Sequence, residues 1–282
     1  MTIAVPVSMS PDAPIMDPGR VRPRFRPLKA LGHFRKLVAN KEDTAQVFHI
    51  FDCLPRADFV EEVTSIVTSD NGRRLMASEP FLPTLLDDHA PLLALPEGTV
   101  GRTYAEFMRA EGLSAIGLFE ESRKMGRPRF DDQMQWVIDR MRDTHDLLHI
   151  LTGYGRDALG EQCVLAFTYG QQPSLGNLFI AWLGALEMKR TVKPKAPVMG
   201  AVAEAQRMGK AARRLIDEDI RALLAEPLDV ARARMGIDLP ATYTRAHTEW
   251  RGQGVDPYNL PGGFRSVDGA NDGADGELAR AA

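Results

Sequence analysis

The chain has 282 residues, 44% of them hydrophobic and 26% charged, with a formal net charge of −3. This is the composition of a folded, water-facing protein with a sizeable core, and it gives no electrostatic reason to expect a nucleic-acid partner. Two cysteines, Cys53 and Cys163, with no CxxC pair exclude a disulfide framework and point to a reducing, intracellular compartment.

Taken in chain order, residues 1–27 are rich in Pro and Arg, lack periodicity and read as an irregular arm. Asp12 and Asp17 stand where a signal peptide would need a basic start and an apolar core, so none is expected. Residues 28–250 form one block without linker or repeat, in which apolar residues recur at helical spacing. Val47, Ile50, Phe51 and Leu54 share a face that ends at Pro55. Phe59, Val63, Ile66 and Val67 share the next, which the spacing stops at Asn71-Gly72. Thr99 to Ala110 reads as a helix capped by Thr99, with Tyr104, Phe107 and Met108 inward. The strongest pattern runs from Asp131 to Thr152, where Met134, Val137, Ile138, Met141 and Leu148 form one stripe closed by Gly153. A second helix from about Arg156 to Tyr169 follows a short break. Leu175 to Met188 is apolar but shorter than the roughly 18 residues a membrane span needs, and Val198 to Ala225 continues the helical pattern. The Gly- and Asp-rich residues 251–282 bury too little to repay ordering and read as a disordered tail. The expected fold is all-α: a single-domain multi-helix bundle between an irregular arm and a disordered tail.

The apolar stripe of the strongest helix continues through His145 and His149, two imidazoles one turn apart on a face that leads inward. Asp146 borders the same surface, so three potential ligands converge within one turn. Burying them without partners would cost several kcal/mol. Imidazole with carboxylate suits Zn²⁺, Mn²⁺, Fe²⁺ or Co²⁺. A buried polar network or a solvated rim remains the alternative. Glu161 lies beyond the Gly153–Gly155 break, where an antiparallel hairpin can bring a carboxylate opposite the histidines, and Gly160 beside it leaves room for close approach. Against the His-Glu-x-x-His pattern of zinc proteases, Asp146 is one methylene shorter and better placed to ligate than to act as a base. The His145-Asp146 pair also evokes HD-type phosphohydrolases, for which His89 and Asp219 would have to complete the site.

At these residues the sequence resembles the coenzyme Q (ubiquinone) biosynthesis protein 4 family, whose metal motif is His-Asp-x-x-His, eleven residues, then Glu. His145-Asp146-Leu147-Leu148-His149, eleven residues and Glu161 reproduce it, preceded by Arg140-x-Arg142. Arg74-Leu75-Met76 with Pro80, Leu95-Pro96 with Thr99, Gly101, Tyr104 and Phe107, and Met235-Gly236-Ile237 with Pro240 extend the likeness over about residues 43–242. The chain departs from the family after Glu161, where Leu165, Thr168 and Gln172-Pro173-Ser174 replace a Lys, a second Glu and a Gly-Leu-Pro turn; it is similar to a divergent member.

The resemblance implies a divalent metal, most commonly zinc and otherwise Fe, Mn or Co, held by His145, Asp146, His149 and Glu161. It implies an oxidative decarboxylase that replaces the C1 carboxyl of a polyprenylated, hydroxybenzoate-derived ring with hydroxyl. The implied partners are the prenylated quinone precursor, other ubiquinone-biosynthesis proteins, a peripheral membrane surface and a second copy of the chain as a homodimer. The implied location is cytoplasmic, on the inner face of the membrane. A lipid-binding scaffold with a structural metal is the alternative. Arg140 and Arg142 would orient a substrate carboxylate, unless they pair with Asp139 or Asp143. Cys163 reads as a small buried hydrophobe, and Leu175 to Met188, with Phe179, Trp182 and Leu183, as either a lining for a prenyl tail or plain core.

Overall fold

The computed structural model of the chain describes residues 13–40, 43, 45–124, 126, 128–193, 195–260 and 264–265. In chain order the helices are α1 (Pro27–Ala39), α2 (Ala45–Cys53), α3 (Phe59–Thr68), α4 (Asp70–Ser78), α5 (Pro83–Leu86), α6 (His89–Leu93), α7 (Val100–Ala110), α8 (Ala115–Lys124), α9 (Gln133–Asp143), α10 (His145–Thr152), α11 (Ala158–Gln171), α12 (Leu175–Thr191), α13 (Val198–Ala211), α14 (Ile220–Ala225), α15 (Leu228–Met235) and α16 (Ala241–Arg251). The described strands are a two-residue pair, β1 (Asn259–Leu260) antiparallel to β2 (Phe264–Arg265). The protein is all-α, as its periodicity indicates. Most of the expected tail lies outside the described residues, as does the arm up to residue 12.

Three boundaries differ from the sequence expectation, each for a local reason. The helix expected over 131–152 divides at Thr144, whose hydroxyl donates back to the Arg140 carbonyl while its backbone leaves the helical region. Asn71-Gly72 stops nothing: Ser69 ends α3 and its hydroxyl accepts from the Gly72 N–H, starting α4. The helix expected over 198–225 is broken after Ala211 by a 3₁₀ turn at Leu215–Asp217, and Asp219 caps α14 afresh. Thr99 precedes α7 as expected, but its hydroxyl donates to the Pro96 carbonyl rather than capping the helix.

Within the described residues the chain forms two compact units. The chain passes between them several times, so no linker composition marks the division. The first unit comprises the described residues up to Arg22, Arg56–Leu147 and Arg214–Leu228. Its core joins Val63, Ile66 and Val67 of α3, Leu75 of α4, Ile216, and Met134, Trp136 and Val137 of α9. Burial of this apolar set holds α9, and Asp132 caps its start by accepting from Gln135 N–H. Asp132 also takes the Asp17 N–H and the Arg20 guanidinium, which ties residues 17–20 to the same helix end.

The second unit comprises Pro23–Pro55, Leu148–Arg213 and the described residues from Asp229 onward. α11 packs along α12 and α13. Gly209 permits the closest approach, since a Cβ there would lie 2.1 Å from the Phe167 carbonyl oxygen. α1, α2 and α12 enclose Ala30, Phe34, Ile50 and Ile180. Of the residues considered for a prenyl tail, Phe179 and Leu183 pack against this cluster and Trp182 donates to Gln206, which favours plain core. The division between the units falls inside α10.

Candidate metal centre

α10 begins one residue after Thr144, so His145 and Asp146 stand in its first turn and His149 one turn later. One ligand atom from each of the three lies within 4.8 Å of the others, and among the described residues this is the group of three or more His, Cys, Asp or Glu side chains that could hold a metal. Asp146 and His149 are buried and His145 is half-buried. His89 and Asp219, which an HD-type site would require, do not join the group; Asp219 instead caps α14 and pairs with Arg74.

Within the second unit, Gly153 at φ +73° ends α10 in the left-handed conformation that glycine adopts without strain. The chain turns back, and Asp157 caps α11 by accepting from the Leu159 and Gly160 N–H groups. This turn brings Glu161 Oε1 to 3.6 Å from His149 Nε2. Gly160 is required by the turn rather than by helix packing, because a Cβ there would lie 1.9 Å from the Gly155 carbonyl oxygen.

His149 Nδ1 lies 3.0 Å from the Tyr154 carbonyl oxygen. A carbonyl only accepts, so Nδ1 carries the proton, and in the neutral ring Nε2 presents its lone pair. With that ring neutral, Nε2 and the Glu161 carboxylate would both be acceptors, an arrangement that a shared cation would satisfy. Two ligands each about 2.1 Å from a tetrahedral metal are roughly 3.4 Å apart, close to the separation seen. The donor set therefore fits a divalent metal with imidazole and carboxylate ligands. Cys163 is fully buried and burial pushes its thiol pKa up, against a thiolate ligand.

The two arginines expected to receive substrate are otherwise engaged. Arg140 is 1% exposed; its guanidinium pairs with buried Glu79 at 2.7 Å, donates to the carbonyls of Ile216 and Glu218, and lies over Trp136. Its donors point into the core of the first unit, so the substrate role expected for it is corrected to a structural one. Arg142 bridges Asp139 and Asp143, the alternative that its sequence neighbours allow. Burial raises the Asp143 pKa to about 7 against the opposing pull of Arg142.

Sequence reasoning missed Arg156, whose Nε lies 4.0 Å from Glu161 Oε1, and the Tyr154 carbonyl behind His149. Both sit in the turn, where no periodicity identifies them. It also left Tyr104 as an apolar contact. Its ring is fully buried, but its hydroxyl has no hydrogen-bond partner among the described residues, and burial first, then the Asp146 charge, keep it protonated by pushing its pKa up.

The family model for coenzyme Q (ubiquinone) biosynthesis protein Coq4 matches residues 57–241, more than half of the chain. The chain belongs to the Coq4 family. Among curated relatives it is 31% identical over 144 residues to the mitochondrial ubiquinone biosynthesis protein COQ4 homolog 1 of Culex quinquefasciatus, covering 46% of this chain and 51% of that one. It is 29% identical over 178 residues to mitochondrial coq4 of Talaromyces stipitatus, covering 62% and 59%. The match thus spans between half and three-fifths of these Coq4 relatives. A crystal structure from Nostoc punctiforme PCC 73102, provisionally described as a ubiquinone biosynthesis protein, superposes with TM-score 0.56 over 76% of this chain and 99% of that one at 22% identity, which supports the Coq4 fold.

Proposed function

We propose that this Coq4-family protein is a metal-dependent enzyme of ubiquinone synthesis that replaces the C1 carboxyl of a polyprenylated, hydroxybenzoate-derived ring with hydroxyl. The observation that carries the reading is the convergence of His145, Asp146 and His149, with Glu161 facing His149. These four residues would hold a divalent cation, which supplies Lewis acidity toward the ring carboxylate and its neighbouring oxygen. Exchange of carboxyl for hydroxyl is a two-electron oxidation of the ring carbon: water supplies the hydroxyl oxygen, the carboxyl leaves as carbon dioxide, and dioxygen takes the two electrons with two protons and leaves as hydrogen peroxide.

The protein's own groups have distinct tasks in this reading. The Tyr154 carbonyl fixes the His149 tautomer. Arg156, with its side chain 21% exposed at the edge of Glu161, takes the role first given to Arg140 and orients the substrate carboxylate. Tyr104, protonated and buried beside the Asp146 charge, is a hydrogen-bond donor for a ring oxygen.

The prenylated precursor implies contact with a lipid surface. Among the described residues no helix is long and apolar enough to cross a membrane. Just before and within α1, Phe25 is 61% and Leu28 85% exposed, near Arg24, Arg26, Lys29, Arg35 and Lys36 in sequence, with no acidic residue between Asp17 and Glu42. This combination supports peripheral docking on anionic lipid. A Phe25→Ser/Leu28→Ser variant is expected to cosediment less with phosphatidylglycerol vesicles.

Complementation of a strain lacking the C1 decarboxylation step tests the catalytic reading. The wild-type chain should restore quinone synthesis and a folded Glu161→Ala variant should not. Restoration by Glu161→Ala would instead favour a scaffold with a structural metal.

A further inference from the structure

We propose that Tyr243 and His247 of α16 are positioning residues for the metal centre, acting through the turn that joins His149 to Glu161. The inference rests on the metal reading above. It concerns residues beyond 241, where the match to the family model ends.

Asp157 is fully buried, and its carboxylate accepts from Leu159 N–H, Gly160 N–H, the Tyr243 hydroxyl and His247 Nε2. The Tyr243 oxygen in turn accepts from Gly155 N–H at 3.0 Å. One phenolic hydroxyl thereby joins the two ends of the turn, Gly155 and the cap of α11. Tyr258 closes the same corner, since a Cβ on Gly155 would lie 2.7 Å from its hydroxyl.

Both ligands of the second unit depend on this turn. Tyr154, whose carbonyl sets the proton of His149, lies within it, and the Glu161 N–H bonds to the Asp157 carbonyl at 3.0 Å. A buried carboxylate with four donors and a hydroxyl bridging two backbone segments leave the turn little freedom. The separation of His149 and Glu161 is thus set by α16, an element that carries none of the four ligands. Supporting hydrogen bonds behind metal ligands change affinity by about 10- to 100-fold, and a clamp one contact further out belongs at the lower end.

The test is Co²⁺ titration of the full chain, read by affinity and by the visible ligand-field spectrum. Tyr243→Phe, which keeps the ring packing, should weaken Co²⁺ binding by about tenfold and alter the spectrum. Trp182→Phe, which removes a hydrogen bond between α12 and α13 in the same unit, should lose stability without changing either. Should Tyr243→Phe fail to fold, His247→Leu should give the same loss and His247→Gln, which keeps a donor near the Nε2 position, should restore it. Wild-type affinity and spectrum in Tyr243→Phe, or in His247→Leu, would overturn the proposal. So would a His247→Gln variant no better than His247→Leu. A wild-type chain that binds no cation would overturn the metal reading and this one together, whereas an indifferent variant of a metal-binding chain overturns this one alone.

Discussion

Arg140 in α9 and His149 in α10 are both buried, polar and flanked by carboxylates, yet they are opposite kinds of site. Around Arg140 donors and acceptors balance: one guanidinium meets the Glu79 carboxylate and two backbone carbonyls. At His149, Nδ1 donates to the Tyr154 carbonyl while Nε2 faces Glu161, which also has the Arg156 guanidinium beside it. Burial alone therefore does not mark function in this protein. Arg140 is satisfied by protein partners, whereas in the proposed reading His149 and Glu161 share a cation.

The largest effect expected from breaking this contrast is at the balanced site. Arg140→Met leaves Glu79 buried without its counter-charge and should cost about 3–5 kcal/mol in denaturant unfolding, with the metal content of the folded fraction unchanged. A stable Arg140→Met chain with only a raised KM would instead restore Arg140 as a substrate residue. Next come two glycines in close approaches. Gly160→Ala and Gly209→Ala should each lose about 1–3 kcal/mol, but metal-binding titrations should show weakened affinity only for Gly160→Ala, which distorts the turn before Glu161.

A smaller effect is expected at Asp143. Its folded pKa of about 7 stands above the ordinary 3.8, so over that interval the folded chain holds a proton that the unfolded chain releases. The sign follows directly: this group's contribution is present at low pH and is lost as pH rises from about 4 to 7. Asp143→Asn should flatten that part of the stability profile. An unchanged profile would show that Arg142 keeps the carboxylate ionised in the fold.

What the sequence made legible follows from distance along the chain. His145, Asp146 and His149 were readable because one helical turn fixes their relation before any tertiary contact forms. Glu161 needed the family spacing, since its approach to His149 depends on a turn held by Asp157. Arg140 was misread because its partners, Glu79, Ile216 and Glu218, are remote in sequence and nothing near Arg140 announces them. The break at Thr144 hinges on one side-chain hydrogen bond, which apolar periodicity does not register. Tyr243 and His247 carry no motif, and their meaning appears only once α16 has brought them to Asp157.

Elemental analysis of protein isolated without added metal tests the central claim most directly. The account predicts a stoichiometric divalent metal in the wild-type chain that is lost from folded His149→Ala. Wild-type protein free of divalent metal, or a His149→Ala chain that retains it in full, would contradict the account.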